Sequence, residues 1–376
     1  MYFSRLLKLT LALSLLALML PVTAVMGQTT GTATFADSSA GKSDKLVVSM
    51  NDMPPLGASE VYQGWLVSDD GVTNVDVGVL TVAADSSISH TFTSATGTNL
   101  VAANNTFMVT IEATGGATSP SKTIAFTATI AEDAMTHLRH LLFSNAGNPL
   151  HASGAHSGTA KGITVGLYEQ TNAALTQAEA AVSATSLSDI QAAAGNAINI
   201  IEGTGGANFD ASRTSSGDSF GVLNYASNAK THAKNITTAF SKDAKFFKYE
   251  PNVSASADNV AALAGAARDQ ALLARSANDS TTAKAYATNL KTNLERALSG
   301  YDADRDGSIA AGGSEGGALQ AHLAAQNMAS FSPAAGTGLP TTGDIGIGGF
   351  AWMTLMMGIA LVSIGSLIRM RKTASR

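Results

Sequence analysis

The chain has 376 residues, 45% of them hydrophobic and 14% charged, with a formal net charge of −5 and no cysteine. Lack of cysteine excludes disulfides, thiolate zinc sites, thiol catalysis and cysteine-attached haem, so stability must rest on packing and on any bound metal. Segments 1–27 and 343–376 hold six of the 23 basic residues and one of the 28 acidic ones, which leaves −10 on the rest; such a surface repels nucleic acid, tolerates divalent cations and excludes DNA or RNA as a partner.

At the N-terminus Arg5 and Lys8 precede an apolar run from Leu9 to Leu20 and the small-residue stretch Val22-Thr23-Ala24. This order predicts a secretory signal peptide over 1–27, cut after Ala24 or Gly27. Roughly 310 residues then remain before the C-terminal apolar segment, enough for two domains. Residues 28–44 read as a linker. From 45 to 130 the chain is rich in Val and Thr, and 45–50, 61–68, 75–82, 87–93, 106–113 and 122–130 read as strands. Asp69-Asp70-Gly71, Asn104-Asn105 and Gly115-Gly116 supply turns between them. Regular short strands predict an all-β sandwich over 45–130. Phe107, Val109 and Ile111 should share one face, with Tyr62 and Trp65 as bulky core candidates.

Within this block stand Met53-Pro54-Pro55-Leu56, Val61-Tyr62-Gln63-Gly64-Trp65-Leu66-Val67, Gly78-Val79-Leu80, Ile111-Glu112-Ala113-Thr114-Gly115-Gly116 and Ser119-Pro120. In that order they resemble the extracytoplasmic domain of the anti-sigma-K factor family, which implies a β-domain. In that family a cytoplasmic sigma-binding helical domain and a membrane helix precede the β-domain. Here a signal peptide is read in their place. The expectation is therefore that the chain is not a functional anti-sigma factor and contacts no sigma factor.

From 131 to 331 the texture becomes Ala-rich, with helices expected over 134–143, 161–184, 187–202, 220–240, 255–278, 281–299 and 316–331. Leu138, Leu141 and Leu142 make one helical stripe; Ala261, Leu263, Ala264, Ala267, Ala271 and Leu272 make another. Ser186 or Ser188 can cap the third helix. Short loops suggest an all-α antiparallel bundle, and the Ala bias a thin core with close helix packing.

His137 and His140 lie one turn apart in His137-Leu138-Arg139-His140. Such a pair can chelate a transition metal, with His151, His156, His232 or Glu202 completing the shell. Alternatively they are boundary histidines bonded to backbone. No HExxH and no Glu-x-x-His pair occurs. Glu202-Gly203-Thr204-Gly205-Gly206 follows a helix and reads as a C-cap and loop, not a phosphate loop. Gly217-Asp218-Ser219-Phe220-Gly221 lacks the G-x-S-x-G of a nucleophile elbow. With no acid–base pair or activated nucleophile in view, the expectation is no enzyme; an extracellular hydrolase with dispersed residues is the remaining third class.

Asp302-Ala303-Asp304-Arg305-Asp306-Gly307-Ser308-Ile309 resembles an EF-hand calcium loop. Carboxylates at positions 1, 3 and 5 converge, Gly307 permits the turn, and the Ser308 carbonyl serves position 7. Ile309 should pack inward. Position 12 is Gly313, so Glu315 is the candidate bidentate ligand. The alternative is a polar turn between two helices.

Residues 332–343 read as a second linker, ending in Leu339-Pro340-Thr341-Thr342-Gly343. An apolar run over 345–368 and a basic tail over 369–376 follow. This order resembles the LPxTG cell-wall sorting signal of sortase substrates. The run can span a hydrocarbon core of about 30 Å, and the tail should stay inside. A plain membrane anchor is the alternative. Taken together, the expectation is a non-enzymatic bacterial surface protein, held to peptidoglycan through Thr342 or to membrane lipid. It would bind calcium and an unknown extracellular ligand, in adhesion, ligand sensing or envelope structure. The alternative is an extracytoplasmic transition-metal or haem-binding helical protein.

Overall fold

Alternating apolar residues in the first third of the chain require a sheet with one face against a core, and two such sheets meet here. The computed structural model describes residues 29–143, 161–213, 217–240, 243–337 and 339. Strands β1 (Thr30–Ala36), β2 (Lys45–Asn51) and β5 (Ile88–Thr93) form one antiparallel sheet in the order β1-β2-β5. Strands β3 (Glu60–Ser68), β4 (Asn74–Leu80), β6 (Asn104–Ala113), β7 (Ile124–Thr129) and β8 (Ala334–Ala335) form the other, in the order β4-β3-β6-β7-β8. Leu46, Val48 and Met50 of β2 and Phe107, Val109 and Ile111 of β6 all point into one hydrophobic core, joined by Tyr62, Leu66 and Phe126. Alternation in these strands is therefore a direct record of the buried face.

Seven helices come next among the described residues: α1 (Glu132–Leu142), α2 (Ile163–Ser183), α3 (Leu187–Glu202), α4 (Val222–Ala239), α5 (Ala244–Ser276), α6 (Ser280–Ser299) and α7 (Ala318–Met328). Ser186 caps α3, its hydroxyl accepting from Asp189 N at 3.1 Å. Gly203, at φ 69°, ends it. The helices pack through small residues: Ala264, Ala267, Ala271 and Ala274 of α5 are fully buried, as are Ala321 and Ala325 of α7. Short side chains let the axes approach closely.

Three sequence expectations are corrected here. The fifth helix begins at Ala244 rather than near 255, because Asp243 caps it by accepting from Lys245 N at 3.0 Å and Phe246 anchors its first turn in the core. Pro251 sits inside that helix and is tolerated. The stretch 28–44 is not a linker, since it contains β1, paired to β2 from Thr30↔Asn51 to Ala36↔Lys45. The stretch 332–343 is not wholly a linker either: β8 extends the larger sheet beside β7, and Leu339 packs against the core.

These two segments bind the sheets to the helices. Ala33 and Phe331 exchange backbone hydrogen bonds of 3.1 and 2.8 Å. The Phe331 ring lies edge-on to Phe35 at 5.5 Å and tilted to Phe107 at 6.2 Å. Arg139 of α1 donates to Val101 O at 2.9 Å and to Asp69 at 2.7 Å. One hydrophobic cluster runs through both regions. The signal peptide read over 1–27, Pro340, Thr341, Thr342 and Gly343, the span over 345–368 and the basic tail lie outside the described residues. Among the described residues no helix is long and apolar enough to cross a membrane.

Candidate metal centres and the buried polar networks

The turn after α6 opens at Gly300, whose φ of 76° takes the chain out of the helix. Arg305 (φ 64°) and Gly307 (φ 91°) curl the 302–308 loop back on itself. The curl brings carboxylate oxygens of Asp302, Asp304 and Asp306 within 4.8 Å of one another. Each carboxylate also accepts from the loop. Asp302 takes Gly307 N at 2.9 Å and Asp306 N at 3.2 Å, and Asp304 takes Asp306 N at 3.1 Å. Asp306 takes the Ser308 hydroxyl at 2.7 Å and Ser308 N at 2.8 Å, which hold it below the usual carboxylate range.

Glu315 does not join the three aspartates. It is buried beneath the loop, where one oxygen accepts from Ala303 N at 3.0 Å and Asp304 N at 3.3 Å and the other from Ala310 N at 2.8 Å. It acts as an internal strut. Ile309 is 40% exposed rather than packed inward. Ala303, Asp304, Ala310 and Glu315 line a 370 Å³ depression beside the carboxylates.

The second constellation lies between α1 and α4. His137 and His140, at helical spacing, meet His232 of α4. Their ring centroids are 5.7 Å (137–140), 5.8 Å (137–232) and 5.1 Å (140–232) apart. One ligand nitrogen from each lies within 4.8 Å of the others. His151 and His156 lie outside the described residues. Glu202 is engaged elsewhere, accepting from Asn208 N and Nδ2 at 2.8 Å each.

A third cluster escaped sequence reasoning altogether. Asp37, just past β1, accepts from Gly41 N at 3.0 Å and Ser43 N at 2.5 Å. From α7 it meets His322 Nε2 at 2.9 Å and Gln326 Nε2 at 2.8 Å. The Thr164 hydroxyl donates to Leu141 O at 2.8 Å and lies 2.9 Å from His322 Nδ1. Both ring nitrogens thus have a partner, Nε2 the Asp37 carboxylate and Nδ1 the Thr164 hydroxyl. Burial raises the Asp37 pKa, but the hydrogen bond and charge of His322, with the two backbone N–H groups, outweigh it and hold the carboxyl below its ordinary range. No local motif signals this pair, whose members are 285 residues apart.

Among the residues that carry the family resemblance, Gln63, Trp65 and Glu112 belong to a network on the outer face of the larger sheet. Trp65 Nε1 donates to Thr110 at 2.8 Å, and Thr110 donates to Glu112 at 2.5 Å. Glu112 also accepts from Ser121 N at 2.8 Å. Gln63 exchanges bonds with the Ala117 backbone at 2.7 and 2.9 Å. A Cβ on Gly116, whose φ is 78°, would stand 2.9 Å from Gln63 Oε1. These hydrogen bonds fasten the 114–121 loop to Gln63 and Glu112.

A family model described as "Anti-sigma-K factor rskA, C-terminal" matches residues 14–124, well short of half of the chain. No curated protein and no solved structure matches. The match overturns two expectations. A chain read as something other than a functional anti-sigma factor, with no sigma factor as partner, conflicts with a β-domain that the anti-sigma-K model matches. That expectation took the N-terminal segment for a replacement of the regulatory half, although the match itself begins inside the segment, at residue 14.

Proposed function

We propose that the chain is an extracytoplasmic regulator of the anti-sigma-K type, without catalysis of its own. The β-sheet domain is its family module, and the helical region is an appended reader of a divalent cation. The observation that carries this reading is the family match over 14–124. The apolar N-terminal segment and the 345–368 run with its basic tail support a placement outside the membrane.

Calcium is the ion the reading assigns to Asp302, Asp304 and Asp306. Three carboxylates at alternate positions suit a hard cation, and the missing acid at position 12 implies weak affinity, about 10⁻⁴–10⁻³ M. Ion binding would draw the carboxylates off their backbone donors and stiffen the loop that leads into α7. That helix carries His322 and Gln326, which hold Asp37 beside β1. The loop therefore has a physical path to the β-sheets.

Two measurements test the two parts separately. Intact protein, cross-linked and recovered from its native host in mild detergent, should bring a sigma factor with it. Recovery of none would overturn the regulatory reading. Melting of the full chain should shift upward by a few degrees with calcium at about ten-fold excess over Kd, equivalent to about 1.4 kcal/mol, and Asp304→Ala should abolish the shift. An unchanged wild-type transition, or an equal response to magnesium, would remove calcium from the proposal and leave the sigma-factor result standing.

A further inference from the structure

The meeting of α1 and α4 is built from imidazoles where a helical interface ordinarily places aliphatic side chains. Two of the rings come from one face of α1 and the third from α4, so the cluster exists only in the folded chain. His137 Nδ1 and His232 Nδ1 are buried and have no hydrogen-bond partner among the described residues. Leaving such a nitrogen dry and unpaired is unfavourable by about 1–3 kcal/mol. A native chain that keeps two of them side by side calls for an explanation.

We propose that His137, His140 and His232 form a three-histidine site for one divalent transition-metal ion of the zinc, nickel or copper class. Imidazole nitrogen suits these ions, whereas the carboxylates of the 302–306 loop suit calcium. Three protein ligands leave a fourth position open to water or another small ligand. Tetrahedral coordination at 2.0–2.1 Å needs nitrogens about 3.4 Å apart. The rings, with ligand nitrogens inside 4.8 Å, would close by small side-chain rotations without movement of either helix.

The electrostatics agree with the geometry. Burial, with the neighbouring His137 ring second, pushes His140 down to about 4, and burial with both neighbouring rings does the same for His232. The three rings are half-buried rather than sealed, so an ion can enter from solvent. Arg139, between the two α1 histidines in sequence, is turned away to Val101 and Asp69 of the β-domain.

The test uses the untagged full-length chain, titrated calorimetrically with zinc and followed by visible spectroscopy with cobalt(II). The expected result is one tight equivalent of zinc and the intense visible bands of four-coordinate cobalt. His232→Gln and His137→Gln should each lose more than the about 10–100-fold in affinity that a group outside the coordination shell costs, with the cobalt bands gone. Asp304→Ala should retain both signals, which separates this site from the carboxylate loop. Metal-free melting curves of the variants verify that they fold, and a zinc-induced upward shift in wild type that is absent in both histidine variants is the second readout. Weak binding of several zinc ions, a six-coordinate cobalt spectrum, or unchanged affinity in the histidine variants would overturn the site.

Discussion

At the scale of single residues, close approach and burial outweigh intrinsic preference. A Cβ on Gly166, in α2, would stand 2.2 Å from the Tyr225 ring, whereas one on Gly265, in α5, meets nothing within 4 Å. Helix propensity alone favours alanine at both by about 1 kcal/mol. We expect Gly265→Ala to stabilise by about that amount and Gly166→Ala to destabilise by about 1–3 kcal/mol through overpacking. Urea unfolding decides, and equal signs would contradict the packing of α2 on α4. Lys245 gives a pH-dependent case. Its ammonium donates to Ser330 O at 2.5 Å and lies 4.9 Å from the centre of the Phe246 ring. Burial lowers its pKa to about 8, against a smaller opposing pull from Asp243. Between pH 8 and 10.5 the unfolded chain binds the extra proton, so the folded state gains stability as pH rises through that window. The stability of wild type relative to Lys245→Met should therefore move in favour of wild type from pH 8 to 10.5. A difference that stays flat would mean an ordinary surface lysine.

Elements were legible where their periodicity is local. Strand β6 shows its buried face in the spacing of Phe107, Val109 and Ile111, and α1 shows its own in Leu138, Leu141 and Leu142. Strand β1 was not legible, because only Ala33 and Phe35 are buried within a Thr- and Gly-rich run, and β2 supplies the pairing that makes it a strand. The first turns of α5 contain Pro251, a residue unfavourable inside a helix, and capping by Asp243 with burial of Phe246 carries the helix through it. On the outer face of the larger sheet, Thr110 links two elements by accepting from Trp65 and donating to Glu112. Thr110→Val keeps the shape, leaves Trp65 Nε1 without its acceptor and removes one of the two donors to Glu112, at about 1–3 kcal/mol for the indole group left without a bond. Thr110→Ser should recover most of that loss. Denaturation midpoints for the three proteins measure it, and a valine variant as stable as wild type would show that water replaces the hydroxyl.

Over the whole molecule the decisive feature is that both ends of the described chain return to the joint between sheets and helices. The Asp37–His322 pair is its polar centre. Asp37→Ala takes the acceptor from His322 Nε2, Gln326 Nε2 and the N–H groups of Gly41 and Ser43, at about 1–3 kcal/mol for each group left buried without a bond. The pH signature comes from Asp37 being held below its ordinary value of 3.8. Its contribution is complete above that value and is lost as pH falls through the lower folded-state pKa, because there the unfolded chain binds the proton first. Acid unfolding monitored by tryptophan fluorescence should thus lose a component in Asp37→Asn below about pH 4. An identical acid transition in variant and wild type would remove Asp37 from the joint.

By itself the sequence determined whatever neighbouring residues decide together. Those features are the alternating strands, the helical stripes, the serine cap on α3 and three aspartates at every second position of one loop. Their warrant is spacing along the chain, and spacing survives without a fold. Tertiary structure decided that Glu315 supports the loop from beneath, that Ile309 faces solvent, that two apparent linkers join the sheets, and that His232 meets His137 and His140. It also set Asp37 against His322 across 285 residues. Each of these rests on which surfaces a chain of small residues buries against one another, and that choice belongs to the packed molecule, because no short window of sequence contains both partners.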